Sequence, residues 1–348
     1  MILECASFRD CTLEAMRTQV FANQCIDCTV VLFAHASINS QVINKSMAPP
    51  NKATPTGTPA SDFQIGASLV RALLEQQHPD LAHLPIQTLD AGWDNTMFRL
   101  GEQYCVRLPR REAAAVLIEN EQTWLPRLAS QLSLPIPSPC RFGKPALGYP
   151  WKWSVLPWLP GTPADLAEPA ATQSVVLAKF LRSLHMPAPS DAPPNAVRGV
   201  PLWRRAASIE ERMLRLSVKT DLITKPVERT WETALQAPCA ESSKWLHGDL
   251  HARNALVENG AITGIIDWGD ITSGDVATDL AAIWTLFSEQ TVRQKALSEY
   301  ADISEATLQR AKGWAVLFGV VLLDTGLIDH PRHARMGERI LRRVTADS

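Results

Sequence analysis

Residues 245–270 read WLHGDLHARNALVENGAITGIIDWGD, and the fold turns on how this stretch is read. Two short apolar runs, 255–257 and 262–266, flank Asn259-Gly260. Asn-Gly between such runs predicts a two-residue hairpin, because both central positions of that turn need positive φ. Polar groups crowd the two outer ends. His247, Asp249, His251, Arg253 and Asn254 precede the first strand, and Asp267 and Asp270 follow the second. An antiparallel hairpin returns its outer ends to one place, so Asp249 and Asn254 are expected to face Asp267 across a short gap.

Such a set suits phosphoryl transfer. One carboxylate can orient an attacking hydroxyl and take its proton. An amide oxygen and a second carboxylate are hard ligands for Mg²⁺ on nucleotide phosphates. Asp249 is therefore read as the catalytic base, and Asn254 and Asp267 as the metal ligands. Nearer the N-terminus, 96–100 and 104–108 read as a second hairpin around Gly101-Glu102, followed by a helix over about 111–130. The apolar stripe of that helix (Ala114, Leu117/Ile118, Leu125, Leu128) is interrupted by Glu121. A carboxylate on a buried stripe needs a cation. Arg107 on the neighbouring strand can supply it and touch the nucleotide phosphates.

These residues resemble the aminoglycoside phosphotransferase family, which includes aminoglycoside and macrolide kinases. H-G-D-L-H-x-x-N from His247, the Asn-Gly hairpin and I-I-D-W to Trp268 look like that family's catalytic and metal loops. Gly274-Asp275 and Asp279-Leu280-Ala281 resemble the segment that follows them. Gly92-Trp93-Asp94-Asn95-Thr96 resembles the nucleotide loop, with Asn95 and Thr96 as nucleotide contacts. Arg107 and Glu121 match the phosphate-contacting cation and its helix partner, 153–161 the hinge between lobes, and Ser183-Leu184-His185 a helix-end motif. The resemblance covers about 61–345. It implies a protein-kinase-like, two-lobed α+β fold: a small N-lobe (61–157) of antiparallel sheet plus helix, and a larger, mostly helical C-lobe (158–348). It also implies ATP or GTP as co-substrate, Mg²⁺ as cofactor, and a small-molecule acceptor such as an aminoglycoside, a macrolide or a metabolite alcohol. Two departures stand out: the nucleotide loop is not glycine-rich, and the phosphate cation is Arg, a rigid fork, where many kinases have Lys.

Around Asp249, the remaining polar residues read as structural. His247 and His251 are expected to hold the loop, Asp275 to cap the next helix, and Asp279 to tie down the catalytic-loop backbone. Glu210, Glu211 and Asp324 are the acidic side chains available to receive a polycationic aminoglycoside.

Before residue 61 the chain changes character. Residues 48–61, APPNKATPTGTPAS, lack the large apolar side chains that build a core and read as a linker. Residues 1–60 are expected to be an unstructured extension, with Met47 as the natural start. Helix formation is expected from Ser61, with Ser61 and Gln64 as a capping box. Cys25 and Cys28 form C-x-x-C, but no second pair stands at zinc-site spacing, and a reduced, cytoplasmic, monomeric chain is expected. A net charge of −2 supplies no basic field for nucleic acid, and no uninterrupted apolar run approaches the roughly 18–20 residues of a membrane span. Two other functions fit less of the pattern. One is a metal-dependent hydrolase using His247, Asp249 and His251. The other is a silent, nucleotide-binding relative of the kinases.

Overall fold

The computed structural model describes residues 60–92, 94–240 and 243–347. The proposed extension, Met47 and the C-x-x-C pair lie outside the described residues. So does Trp93 of the nucleotide loop.

Helix α1, Ala67–Gln77, buries Val70, Leu73 and Leu74 at the helical spacing of its sequence. It starts later than expected. Gly66 is its N-cap and no side chain caps it. Ser61 Oγ instead donates to the carbonyls of Phe63 and Arg110, and Asp62 Oδ2 accepts from Glu112 N at 2.9 Å. The segment read as a helix start therefore caps a different helix, one 50 residues away in sequence.

Strands β1 (Ile86–Ala91), β2 (Asn95–Leu100) and β3 (Tyr104–Pro109) form an antiparallel meander. Helix α2, Glu112–Leu128, follows. β4 (Arg141–Gly143) and β5 (Trp153–Pro157) complete a five-stranded sheet in the order β1-β2-β3-β5-β4. Phe98, Val106, Trp153 and Val155 pack with α1 into one core. α2 belongs to two structures at once. Its Gln122 Nε2 donates to Trp153 O and Ser154 Oγ of β5, while Trp124, Leu125 and Leu128 join the large core of the following lobe.

Beyond β5 the chain is mostly helical. β6 (Thr162–Pro163), α3 (Gln173–Leu184) and a 3₁₀ turn, Leu202–Arg205, lead into α4 (Ala206–Lys219) and α5 (Lys225–Gln236). β7 (Lys244–Leu246) then enters the catalytic stretch. β8 (Ala255–Glu258) and β9 (Ala261–Ile265) are the expected hairpin, with Asn259 at φ 51° and Gly260 at φ 78°. β10 (Thr272–Gly274) pairs back with β7. The apolar stretch that follows forms two short helices, α6 (Ala277–Leu280) and α7 (Ala282–Leu286). α8 (Gln290–Tyr300), α9 (Glu305–Asp329) and α10 (Pro331–Ala346) close the lobe.

The architecture is the expected α+β, two-lobed, kinase-like one. α9 corrects one expectation. Its 25 residues contain an 18-residue window of mean hydropathy 1.6, long and apolar enough by composition to cross a membrane. Counting only uninterrupted apolar runs overlooked it because Arg310, Lys312 and Asp324 punctuate the helix. In the structure 78% of that window is buried, as the central helix of the C-lobe between α5 and α10.

Candidate active site

The catalytic loop leaves β7 through a backbone that only glycine fits. Gly248 has φ 85°, and a Cβ there would sit 2.4 Å from the carbonyl oxygen of Asp270. The loop is fastened from below. Asp279, fully buried in α6, accepts from His247 N at 2.7 Å and from Gly248 N at 2.9 Å. His185, at the end of α3, approaches the same carboxylate at 3.4 Å and contacts Tyr300 Oη at 2.8 Å. Asp279 ties down the loop as the sequence reading expects, and His185, read only as part of a helix-end motif, braces that carboxylate.

His247 holds the loop too. Its Nδ1 accepts from Asp249 N at 3.2 Å, and its Nε2 lies 3.0 Å from Ile266 O. A ring nitrogen that accepts from an amide beside one that faces a carbonyl defines a neutral imidazole protonated on Nε2. With both nitrogens engaged, His247 has no lone pair for a metal. No group of three or more His, Cys, Asp or Glu poised to hold a metal ion exists among the described residues. The His247/Asp249/His251 hydrolase reading fails on this geometry. His251 Nε2 instead lies 3.5 Å from Asp249 Oδ2, and burial holds its pKa below the ordinary histidine value.

Backbone hydrogen bonds join the outer ends of the hairpin. Ile266 N donates to Asn254 O at 2.8 Å, so Asn254 and Asp267 are brought to the same place. The Asn254 side-chain nitrogen donates to Asp249 O at 2.8 Å, which leaves its oxygen end for a cation. Asp267 stands at φ 64°, and 56% of its side chain is open to solvent.

Across from Asp267 lies the N-lobe cation. Arg107 Nη2 is 2.7 Å from Asp267 Oδ1, and Nη1 is 2.8 Å from Glu121 Oε1. Arg107 and Glu121 are both buried. Neither Glu121 oxygen meets hydrogen-bond geometry, so this contact is one of charge. Burial pushes Glu121 up to about 7, against the pull of Arg107. Burial also works against the Arg107 charge, but Glu121 and Asp267 more than offset it and raise its pKa above the ordinary value. For Asp267 the surrounding protein disfavours charge, yet Arg107 wins and holds the carboxyl below its usual range. Asn95 completes this corner. With its amide oxygen turned inward, Oδ1 accepts from Arg107 Nε at 3.0 Å and from Nη2 at 2.8 Å.

Other expected contacts fall elsewhere. Thr96 is buried in β2 opposite Leu108 and makes no hydrogen bond to this cluster. Asp94 pairs with Arg111 at 2.5 Å. At the hinge the Arg99 guanidinium covers the Trp158 ring at 3.7 Å. Asp275 Oδ1 accepts from Ala277 N at 3.1 Å, and its Oδ2 meets Arg310 Nε at 2.6 Å, so it caps α6 and anchors α9 together. The three carboxylates considered for a polycation are all engaged. Asp324, 3% exposed, is gripped by Arg212 at 2.7 Å and Arg215 at 2.8 Å. Glu211 pairs with Arg215 at 2.6 Å, and Glu210 accepts from Trp231 Nε1 at 3.4 Å.

Sequence reasoning missed one participant. Arg198, in the loop between α3 and α4, places Nη2 2.6 Å from Asp249 Oδ1 and Nε 3.3 Å from Asp270 Oδ2. Asp270 therefore belongs to the cluster as well. Burial and the nearby Asp249 raise its pKa above the usual range, with Arg198 pulling the other way. The available hint was the turn-forming pair Asn195 and Gly199 on either side of Arg198, in a loop otherwise rich in Pro and Ala. Two cavities of about 400 and 510 Å³ open elsewhere on the C-lobe, and neither is lined by Asp249, Asp267 or Arg107.

Known structures share this frame. Aminoglycoside 2'-phosphotransferase-IIIa, solved as its GDP complex, aligns over 80% of this chain and 98% of its own, with a TM-score of 0.58 at 16% identity. The macrolide 2'-phosphotransferase MphH of Brachybacterium faecium aligns over 79% and 97%, with a TM-score of 0.51 at 18% identity. At such identities the likeness is one of fold. A 61-residue stretch is 38% identical to the uncharacterized protein YcbJ of Bacillus subtilis (strain 168), and the match spans 17% of this chain and only 19% of that relative's length. The sequence model described as "Phosphotransferase enzyme family" matches residues 85–314. That match takes in the sheet, the catalytic loop and most of the helical lobe, and on that ground the chain belongs to the phosphotransferase enzyme family.

Proposed function

We propose that this enzyme transfers the γ-phosphoryl group of ATP or GTP to a hydroxyl of a small molecule. The observation that carries this reading is the convergence of Asp249, Asn254 and Asp267 at the joined ends of one hairpin, with Arg107 reaching Asp267 from the other lobe. The acceptor hydroxyl donates to the Asp249 carboxylate. Its oxygen bonds to the γ-phosphorus as the bridging bond to the β-phosphate breaks. The proton passes to Asp249 and the nucleoside diphosphate leaves. Arg107, held by Glu121, and Asn95 meet the nucleotide phosphates.

A carboxylate and an amide oxygen, one of them open to the cleft, form a donor set that fits Mg²⁺. Asn254 and Asp267 would hold it, and when bound it neutralises charge on the phosphate oxygens. Nucleotide use is supported by the solved neighbours, whose complexes contain GDP, ADP or ATP. Their aminoglycoside and macrolide names support a polyhydroxylated small-molecule acceptor.

The test is nucleotide consumption with Mg²⁺, run on ATP and GTP against aminoglycosides, macrolides and simple alcohols, with Asp249→Asn as control. A phosphorylated product that disappears in the control is the expected result. Nucleotide binding without turnover of any acceptor would favour a silent binding protein, and no nucleotide binding at all would overturn the reading.

A further inference from the structure

The two oxygens of the Asp249 carboxylate are treated differently. Oδ1 receives Arg198 Nη2 at 2.6 Å, the one hydrogen bond to this carboxylate among the described residues. Oδ2 faces His251 Nε2 at 3.5 Å, too far for a firm hydrogen bond. With 22% of the Asp249 side chain exposed, Oδ2 is the oxygen left for an acceptor hydroxyl. The terminal torsion of an aspartate has broad wells, so the carboxylate turns easily unless a partner holds it. Arg198 is that partner.

Arg198 is itself fixed from several sides. Its Nε donates to Asp270 Oδ2 at 3.3 Å, and its guanidinium lies over the Phe318 ring of α9 at 5.2 Å. Asn195 Oδ1 accepts from the backbone nitrogens of Val197 at 2.9 Å and Arg198 at 3.0 Å, while its Nδ2 donates to Asp270 Oδ1 at 2.8 Å. Gly199 follows at φ 65°, and a Cβ there would lie 2.7 Å from Leu246 Cδ1 and 3.2 Å from Gly274 Cα. Its carbonyl accepts from Asp275 N at 3.1 Å. The arginine backbone is thus pinned against β7 and β10, the strands on either side of the catalytic loop. An arginine anchored in this way belongs to the frame of the site and is not an arm that swings aside when substrate enters. Asp270 also matters for charge. One guanidinium is shared by two carboxylates, so Arg198 orients Asp249 while the trio keeps one net negative charge.

We propose that Arg198 is a positioning residue for the reaction: by binding Oδ1 it turns Oδ2 of Asp249 toward the acceptor hydroxyl, with Asp270 and Asn195 holding the guanidinium in register. This rests on the phosphotransferase reading and adds a residue to its machinery. The planar fork suits the task, because two of its nitrogens bridge two carboxylates at fixed angles.

The test compares Arg198→Met and the milder Arg198→Lys with the parent, in the full chain with nucleotide and Mg²⁺. Crystal structures of the nucleotide-bound proteins read the carboxylate directly, whether or not an acceptor is known. Asp249 is expected to leave its parental orientation in Arg198→Met, and an identical orientation in all three proteins would overturn the proposal. Steady-state kinetics on the acceptor found in the panel gives the second reading. In Arg198→Met kcat is expected to fall roughly 10²-fold, the usual cost of misplacing a reacting group by about 1 Å. Arg198→Lys, which keeps the charge and loses the fork, is expected to fall less. Acceptor KM and nucleotide affinity should stay within about threefold of the parent, because a positioning residue touches neither ligand. A raised KM with kcat unchanged would make Arg198 a substrate contact and overturn the positioning role. In the Asp249→Asn background, adding Arg198→Met is expected to cost less than about twofold, since nothing is left to position. A loss as large as in the parent would show that Arg198 acts independently of Asp249. Nucleotide binding without turnover of any acceptor by the parent counts against the phosphotransferase reading instead, and the crystal structures still decide whether Arg198 holds Asp249.

Discussion

Arg107 and Asp267 stand 160 residues apart in sequence and 2.7 Å apart in space. The contact crosses from the sheet of one lobe to the end of the β8–β9 hairpin in the other. The same guanidinium also meets Glu121, so a single side chain bridges a buried carboxylate of its own lobe and an open one of the other.

Removing Arg107 alone leaves Glu121 buried beside no cation. Breaking a buried pair from one side costs about 3–5 kcal/mol, whereas replacing both partners with apolar groups is often near neutral. Arg107→Met is therefore expected to destabilise by about that amount, and Arg107→Met/Glu121→Leu to recover most of it. Denaturant unfolding of both variants measures the difference. Equal loss in single and double variants would show that the pair carries no mutual stabilisation.

Asp249→Asn keeps shape and removes the carboxylate proposed to accept the hydroxyl proton. Turnover is expected to fall by roughly 10²–10⁴-fold, the usual worth of a general base, with nucleotide affinity little changed. Steady-state kinetics beside nucleotide titration reads both. Full activity in this variant would remove Asp249 from the reaction.

Asp267→Ala removes the carboxylate that faces both Arg107 and the Asn254 corner. Nucleotide affinity is expected to lose its dependence on Mg²⁺, while Mg²⁺-free binding stays within a few-fold of the parent. Titration with and without the cation decides it, and an unchanged Mg²⁺ effect would contradict the ligand role.

Gly248→Ala places a methyl group against the Asp270 carbonyl at a φ that L-residues avoid. A cost of about 1–3 kcal/mol is expected from the backbone conformation alone, with turnover falling further as Asp249 is displaced. Thermal unfolding and kinetics on the same preparation check it, and a variant with parental values in both would show that the loop tolerates the shift.

His333, in α10, receives Arg253 on Nε2 and stacks on His330 at 4.0 Å. Burial, with Arg253 and His330 adding to it, lowers its pKa to about 4. The native state therefore binds its proton less tightly than the unfolded chain, whose histidine titrates near 6.5. The stabilisation is fully present above pH 6.5 and is lost as pH falls from there toward 4. After allowance for partial screening it amounts to about 1–2 kcal/mol. His333→Gln is expected to flatten the stability profile in that window. An unaltered slope would assign the acid sensitivity to other groups.

Local patterns carried the parts of the site that short-range rules govern. Asn259-Gly260 demanded the hairpin, and the hairpin delivered Asn254 and Asp267 to one corner. Glu121 on an apolar stripe demanded a cation, and the neighbouring strand offered Arg107. What stayed hidden depended on contacts distant in sequence. Ser61 looked like a cap for its own helix, but its hydroxyl is spent on the carbonyls of Phe63 and Arg110, and Asp62 caps α2. Arg198 went unmarked, because nothing nearby in sequence announces that it reaches Asp249, 51 positions on. Asp324 of α9 read as free because its partners Arg212 and Arg215 sit on the facing helix α4, more than 100 positions back in sequence.

α2 has one further consequence. Gln122 binds it to β5, and two positions further on its side chains lie in the helical core, where Trp124 meets Trp245 at 4.8 Å. A chimera that exchanges lobes between homologues at the chain crossing near residue 157 would transplant Trp124, Leu125 and Leu128 into a foreign core. The units that can be swapped in this protein are therefore not the lobes the eye separates. A workable recombination must carry the last two turns of α2, and the segment 134–136 beyond it, together with the lobe that buries them.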